Sequence, residues 1–262
     1  MNKLEDTYCV INDQNKIKIL TKLFTYLIYK NIESIKFNVI NDILTFNNNK
    51  TNQILDFNIK HVFFDYINIV DKDLLQFPIV NIIKDLKSYK GKKVFPNVYF
   101  IFKKNSFTIK SIYPDTNVEL LNVVSGQYFI SNTLYKLDSV ITNKEPDLIF
   151  ELSIEKLNIL LNNTYVKELS ELLIIDNQVI INFNDTHNNV KSIKSTIKKC
   201  SDYLKTKQKI MFVNIILKDL MRFFKDNIVL VNIYLNEEKI VYNVLFSELT
   251  LSFKLTSSII LN

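Results

Sequence analysis

Residues 216–256 read ILKDLMRFFKDNIVLVNIYLNEEKIVYNVLFSELTLSFKLT, and the change of period within them decides the fold. Over 216–225 the apolar residues Ile216, Leu217, Leu220, Met221 and Phe224 recur at three- and four-residue spacing. That spacing predicts an amphipathic helix with Lys218, Asp219, Arg222 and Lys225 facing outward. The period then falls to two. Residues 227–236, 238–246 and 249–256 alternate apolar with polar side chains, as half-buried strands do. One helix followed by three strands is the unit.

The same unit recurs upstream. Residues 15–30 carry a stripe of Ile17, Leu20, Leu23, Phe24, Leu27 and Ile28, with Lys16, Lys18, Lys22 and Thr25 off it, and strands follow at 34–40, 43–47 and 53–60. Residues 62–78 are less readable. A second helix at 79–89 turns Ile82, Ile83 and Leu86 inward and Lys84, Asp85, Lys87 and Lys90 outward, with Lys92 and Lys93 extending its positive end. Strands at 97–103, 106–112 and 117–124 follow it. A strand at 148–152 leads into a third helix at 153–165, which Ser153 can cap. There Ile154, Leu157, Leu160 and Leu161 point in, while Glu155, Lys156, Asn158 and Asn162 point out. Strands at 171–175, 178–184 and 190–197 and a basic stretch at 198–209 lead to strand 210–215 and the final copy. The copies share pattern, not identities. Asn and Asp clusters stand at the turns, where they tolerate the left-handed conformation that glycine otherwise supplies. The expected fold class is α+β, with two similar domains at 1–125 and 148–262. Each has two helices packed on antiparallel sheets, and a connector at 126–147 joins them.

Composition narrows the functions. The chain has 262 residues, 47% hydrophobic and 23% charged, enough for packed cores. It holds two Gly, four Pro, no Ala, no Trp and a single arginine, Arg222. Lys, Asn and Ile take their place, as coding from an AT-rich genome would give, so much of this vocabulary carries no functional signal. Gly91 and Gly126 are too far apart for a glycine-rich phosphate loop, which argues against ordinary nucleotide-binding folds. Cys9 and Cys200 form no paired motif and read as reduced structural thiols. The N-terminal residues carry Glu5 and Asp6 without an apolar run, and no apolar stretch reaches membrane-spanning length. The expectation is an intracellular protein.

No catalytic set emerges. His61 continues an expected strand and His187 sits in a turn, and neither has a His or Cys at metal spacing. Pro146-Asp147 with Glu151, and Pro114-Asp115 with Glu119, resemble the start of a nuclease carboxylate motif, but the lysine that should follow the acid is missing from both. The chain reads as a non-enzyme needing no metal or cofactor.

The lysines carry the stronger signal. Net charge is +6, and each helix places cations on its polar face: Lys16, Lys18 and Lys22; Lys84, Lys87 and Lys90; Lys156; and Lys218, Arg222 and Lys225. A Lys-rich chain solvates any helix face this way. Four helices at matching places in one repeat would instead form a single surface that neutralises phosphates without reading bases. In the connector, Tyr128, Phe129, Leu134, Tyr135 and Leu137 either cover the sheet beneath or line a groove for a docking peptide.

With two halves, two strand–helix–three-strand units in each and a central connector, the chain resembles the DNA polymerase sliding clamps. That is the family of proliferating cell nuclear antigen and of viral and phage processivity clamps. The resemblance is best at residues 211–225 and 227–257, with Phe253, Lys254, Leu255 and Thr256 in the place of the clamps' terminal strand. It implies clamp-type domains, a homotrimeric ring with helices lining the hole, and the listed cations facing double-stranded DNA. It also implies that a DNA or RNA polymerase subunit docks a peptide on the connector residues with Leu255 and Thr256. Rival readings are a non-ring viral clamp relative acting as a DNA-binding transcription cofactor, and a viral structural or interaction protein that never meets DNA.

Overall fold

The computed structural model describes residues 7–40, 43–48, 54–69, 75–89, 94–103, 106–114, 119–125, 145–162, 164–205 and 209–260. These fall into two compact units, one from within Met1–Phe46 and Asn58–Leu137, the other from within Asn47–Phe57 and Asp138–Asn262. The segment at 47–57 thus groups with the second unit, whereas the sequence places it in the first.

Ahead of the connector the elements run β1 (Thr7–Ile11), α1 (Gln14–Tyr29), β2 (Ile35–Ile40), β3 (Ile43–Asn48), β4 (Ile54–Lys60), β5 (Tyr66–Asn68), β6 (Leu75–Phe77), α2 (Ile79–Ser88), β7 (Asn97–Lys103), β8 (Ser106–Ile112) and β9 (Glu119–Ser125), all within the first unit except the end of β3 and the first four residues of β4. The helices sit where the apolar stripes put them. Asp13 caps α1 by accepting from the Asn15 N–H at 2.7 Å. Asn31, in the left-handed region at φ 57°, ends it. The Ile32 N–H reaches the Leu27 carbonyl and the Asn31 N–H the Ile28 carbonyl, each at 2.9 Å. This is the C-terminal motif that glycine usually serves, here supplied by Asn in a chain with two glycines.

The repeat copies do not close their own sheets. β1, which leads the first copy, pairs antiparallel with β7 of the second (Thr7↔Phe102 to Ile11↔Val98), and β6, which leads the second, pairs with β2 of the first (Ile35↔Phe77). Exchange of leading strands locks the two copies into one body. Its core is aromatic: the buried Phe77 ring lies 4.8 Å from Phe102, 5.4 Å from Phe37 and 6.4 Å from Phe24 of α1. Phenylalanine carries the burial that Trp would otherwise supply.

The second unit repeats the exchange. Its elements are β10 (Leu148–Ser153), α3 (Ile154–Leu161), β11 (Val166–Ile175), β12 (Gln178–Asp185), β13 (Val190–Cys200), β14 (Lys209–Val213), α4 (Ile215–Phe223), β15 (Ile228–Tyr234), β16 (Lys239–Leu245) and β17 (Leu251–Ile260). Here β10 pairs with β15 and β14 with β11. β14 also meets β17 at Met211↔Ile260 and Phe212↔Ile259, so the hydrogen-bonded strands of this unit return upon themselves. Ser153 caps α3 as its place in the sequence suggests, accepting from the Lys156 N–H at 3.3 Å.

Several expectations are corrected. His61 does not continue a strand, because a short 3-10 turn, His61–Phe63, begins there. α3 ends at Leu161 and α4 at Phe223, short of the expected 165 and 225. Asp219 is buried in place of facing water. β13 and β17 run three and four residues beyond their expected ends. The expected 198–209 bridge is therefore partly strand. The connector at 126–147 lies outside the described residues up to 144.

Candidate nucleic-acid interface

Within each unit the two helices lie side by side, α1 against α2 and α3 against α4. Each buries an apolar stripe: Ile17, Leu20, Leu23 and Leu27 of α1; Ile79, Ile82 and Leu86 of α2; Ile154, Leu157 and Leu161 of α3; Ile216, Leu217 and Leu220 of α4. The opposite face of each pair is left to solvent, and that face holds the cations.

Lys18 on α1 and Lys84 and Lys87 on α2 are exposed, and Lys22 is half-buried. Lys16 is different. Its ammonium lies 2.9 Å from Asp65 and over the Phe63 ring, with the side chain only 11% exposed. Asp65 also accepts from the Asn12 N–H at 2.7 Å, so this pair pins the start of α1 to the segment before β5. Lys16 serves the fold first. Lys90 lies outside the described residues.

In the second unit Lys156, Lys218, Arg222 and Lys225 are all exposed. Lys218 and Arg222 stand four apart on α4 and so share one face. The Lys218 ammonium reaches the Val166 carbonyl at 3.3 Å, and the Arg222 guanidinium lies over the Phe223 ring at 5.3 Å. Lys225 follows the helix in the turn beyond it. The one acidic side chain of α4, Asp219, is buried, so the charged groups that this helix exposes, Lys218 and Arg222, are both cationic.

Sequence reading missed Lys191 on β13. Its ammonium donates to the Leu160 carbonyl at 3.1 Å and to the Thr164 hydroxyl at 2.6 Å, placing a cation at the negative end of α3. Its spacing marks it only as a strand residue, so nothing in the sequence flags it. Among the docking residues, Tyr128, Phe129, Leu134, Tyr135 and Leu137 lie outside the described residues. Leu255 and Thr256 are 1% and 5% exposed in β17. Their side chains are thus buried.

The carboxylates weighed for catalysis have structural work. Asp147 accepts from the Leu235 N–H at 2.8 Å, Glu151 pairs with Lys198, and Glu119 pairs with Lys110 at 2.9 Å. Among the described residues no group of three or more His, Cys, Asp or Glu could hold a metal ion. His187 sits in the expected turn, where Asp185 accepts from the His187 and Asn189 N–H groups at 2.8 Å each. Cys9 and Cys200 are free thiols. No helix of the described residues is long and apolar enough to cross a membrane.

No family model matches the chain, and no curated protein does. Solved structures do. Proliferating cellular nuclear antigen from Entamoeba histolytica superposes with a TM-score of 0.70 over 97% of this chain and 98% of its own, at 12% identity. The antigen from Thermococcus kodakaraensis gives 0.72 over 97% and 100%, at 10% identity. Agreement of backbone across nearly the whole of both chains, with so few shared residues, is agreement of fold. The chain has the fold of the proliferating-cell-nuclear-antigen type of sliding clamp.

Proposed function

We propose that this protein is a DNA sliding clamp, a non-enzymatic ring that encloses duplex DNA and tethers a replication or transcription polymerase to it. The observation that carries the reading is the cationic outer face of each helix pair on a clamp fold. Lys18, Lys84 and Lys87 in one unit and Lys156, Lys218 and Arg222 in the other would meet phosphates as mobile charges that read no sequence. Arg222, the single arginine, adds a planar fork for phosphate.

Two strand edges support assembly into a ring. β9 is the last strand of its sheet, with β8 on one side, and carries Leu120 and Leu121 at 50% and 61% exposure. β13 gives residues 190–196 to β12 and only 197–200 to β10. Its second edge along 190–196 pairs with no strand among the described residues. Long apolar or open edges invite pairing with another chain. Two different edges that join head to tail close into a cycle if the rotation permits, and the clamp fold makes three the expected number. We place the domain boundaries of such a subunit at 125 and 148, with the residues between as the peptide-docking connector.

Duplex binding followed by fluorescence anisotropy over a salt series tests the charge reading. Affinity should fall linearly in log–log form, with a slope of about −0.9 per phosphate neutralised. Lys218→Glu with Arg222→Glu should flatten that slope and weaken binding without regard to sequence. Unchanged binding by this double variant would take α4 out of the DNA-binding face, and a parent protein that binds no duplex even at low salt would favour an interaction protein that never meets DNA.

A further inference from the structure

Each open edge sorts its side chains by face. On β9, Glu119 lies opposite Ile112 and Leu121 opposite Lys110, on the face of the sheet turned from the core. Leu120 lies opposite the buried Ser111, on the core face. On β13, Lys191, Ile193 and Ser195 lie opposite the buried Phe183, Ile181 and Val179, which sets them on the core face. Ser192, Lys194 and Thr196, opposite Asn182, Ile180 and Gln178, take the outer face. Residues directly opposite one another in a sheet point to the same side. A strand that continues the sheet past 190–196 therefore sets Leu120 against Lys191, Ile193 or Ser195. In antiparallel pairing those three choices put Glu119 opposite Ser192, Lys194 or Thr196. Only the middle one joins an apolar side chain to an apolar one and an acid to a base. Parallel pairing achieves one match at most: Ile193 for Leu120 puts Glu119 on Ser192, and Lys194 for Glu119 puts Leu120 on Ser195. Among the described residues every strand pairing is antiparallel as well.

We propose that the β9 edge of one copy of this chain meets the β13 edge of a second copy in that one antiparallel register, with Glu119 opposite Lys194 and Leu120 opposite Ile193. The inference rests on the ring reading above and deepens it by naming what each edge selects in its partner. The charges are placed for it. Of the lysines on β13, Lys198 pairs with Glu151, Lys199 with Glu145, and Lys191 is held at the end of α3. Lys194 is exposed and has no ion-pair partner among the described residues. Glu119, its side chain 55% exposed, meets Lys110 through one oxygen at 2.9 Å, and a carboxylate has capacity for a second cation. Acid on one edge and base on the other make each copy complementary to the next, head to tail, as a closed cycle requires.

A charge exchange in the full chain, read by sedimentation equilibrium, tests the register. Lys194→Glu sets acid against acid and leaves the Glu119–Lys110 pair untouched; it should weaken each contact by about tenfold. Glu119→Lys should weaken it comparably. The two substitutions together should recover most of the parent's assembly. Ser192→Glu and Thr196→Glu answer the neighbouring registers, so either should rescue Glu119→Lys less fully than Lys194→Glu does. Fuller rescue by one of them overturns the register and leaves the ring standing. An assembly indifferent to both Lys194→Glu and Glu119→Lys overturns the meeting of these edges, again without touching the oligomer itself. A parent that stays a single chain at every concentration sinks ring and register together.

Discussion

Asp56 and Glu171 show how single carboxylates in this chain set opposite responses to acid. Asp56 is 7% exposed in β4, and burial pushes its carboxyl above the usual range, with Lys254 pulling partly back. The folded state therefore holds that proton more tightly than the unfolded chain does. Its contribution is fully present below the unfolded value and is lost as pH rises through the folded one. Asp56→Asn should raise the urea midpoint at neutral pH and flatten its fall across the carboxylate range; parallel curves for variant and parent would count against burial as the cause. Glu171 runs the other way. Hydrogen bonds from Asn182 at 2.9 Å and from Lys209 hold its carboxyl below the ordinary value, so its contribution is present above the unfolded value and fades as pH drops through the folded one. Glu171→Gln should soften acid unfolding, most visibly at low ionic strength, because the group is partly exposed. Neither behaviour could be read from sequence, since both residues sit in ordinary alternating strands. Their burial is decided by which strand lies alongside.

At the scale of elements, legibility followed periodicity. α1 and α2 lie within a residue of the expected ends because long apolar stripes and their caps are local properties of the chain. α3 and α4 stop earlier, at Leu161 and Phe223, and the buried Phe224 just past α4 packs its ring on Phe246 and Phe253, which lie far along the chain from the helical stripe. β1 went unread: Thr7–Ile11 is five residues with the burial run of an enclosed strand, and its partners Tyr66–Asn68 and Asn97–Lys103 are far along the chain. β6, Leu75–Phe77, is shorter still and wholly buried. Such strands exist through their neighbours. Ser153→Ala should remove the α3 cap and cost about 1 kcal/mol, measured by denaturant unfolding. Leu157→Ala, which empties the contact of α3 with the core, should cost roughly 2–5 kcal/mol. If the two substitutions cost the same, capping and packing have been wrongly ranked.

Across the whole molecule, what sequence conveyed was repetition of a pattern, and what it withheld was the exchange of leading strands that turns repeats into bodies. The cationic faces were legible as residues; that Lys16 is bound to Asp65, and that Asp219 turns inward to leave only cations among the exposed charges of α4, were not. Assembly is where the functional account stands or falls. Leu120→Lys with Leu121→Lys replaces the exposed apolar side chains of β9 with charge and should prevent edge pairing with a second chain while sparing each subunit's own fold. Sedimentation equilibrium over a wide range of protein concentration tests the ring most directly. We expect about three times the 30.9 kDa chain mass, collapsing to a single chain in the β9 double variant; a parent protein that remains one chain at every concentration contradicts the account.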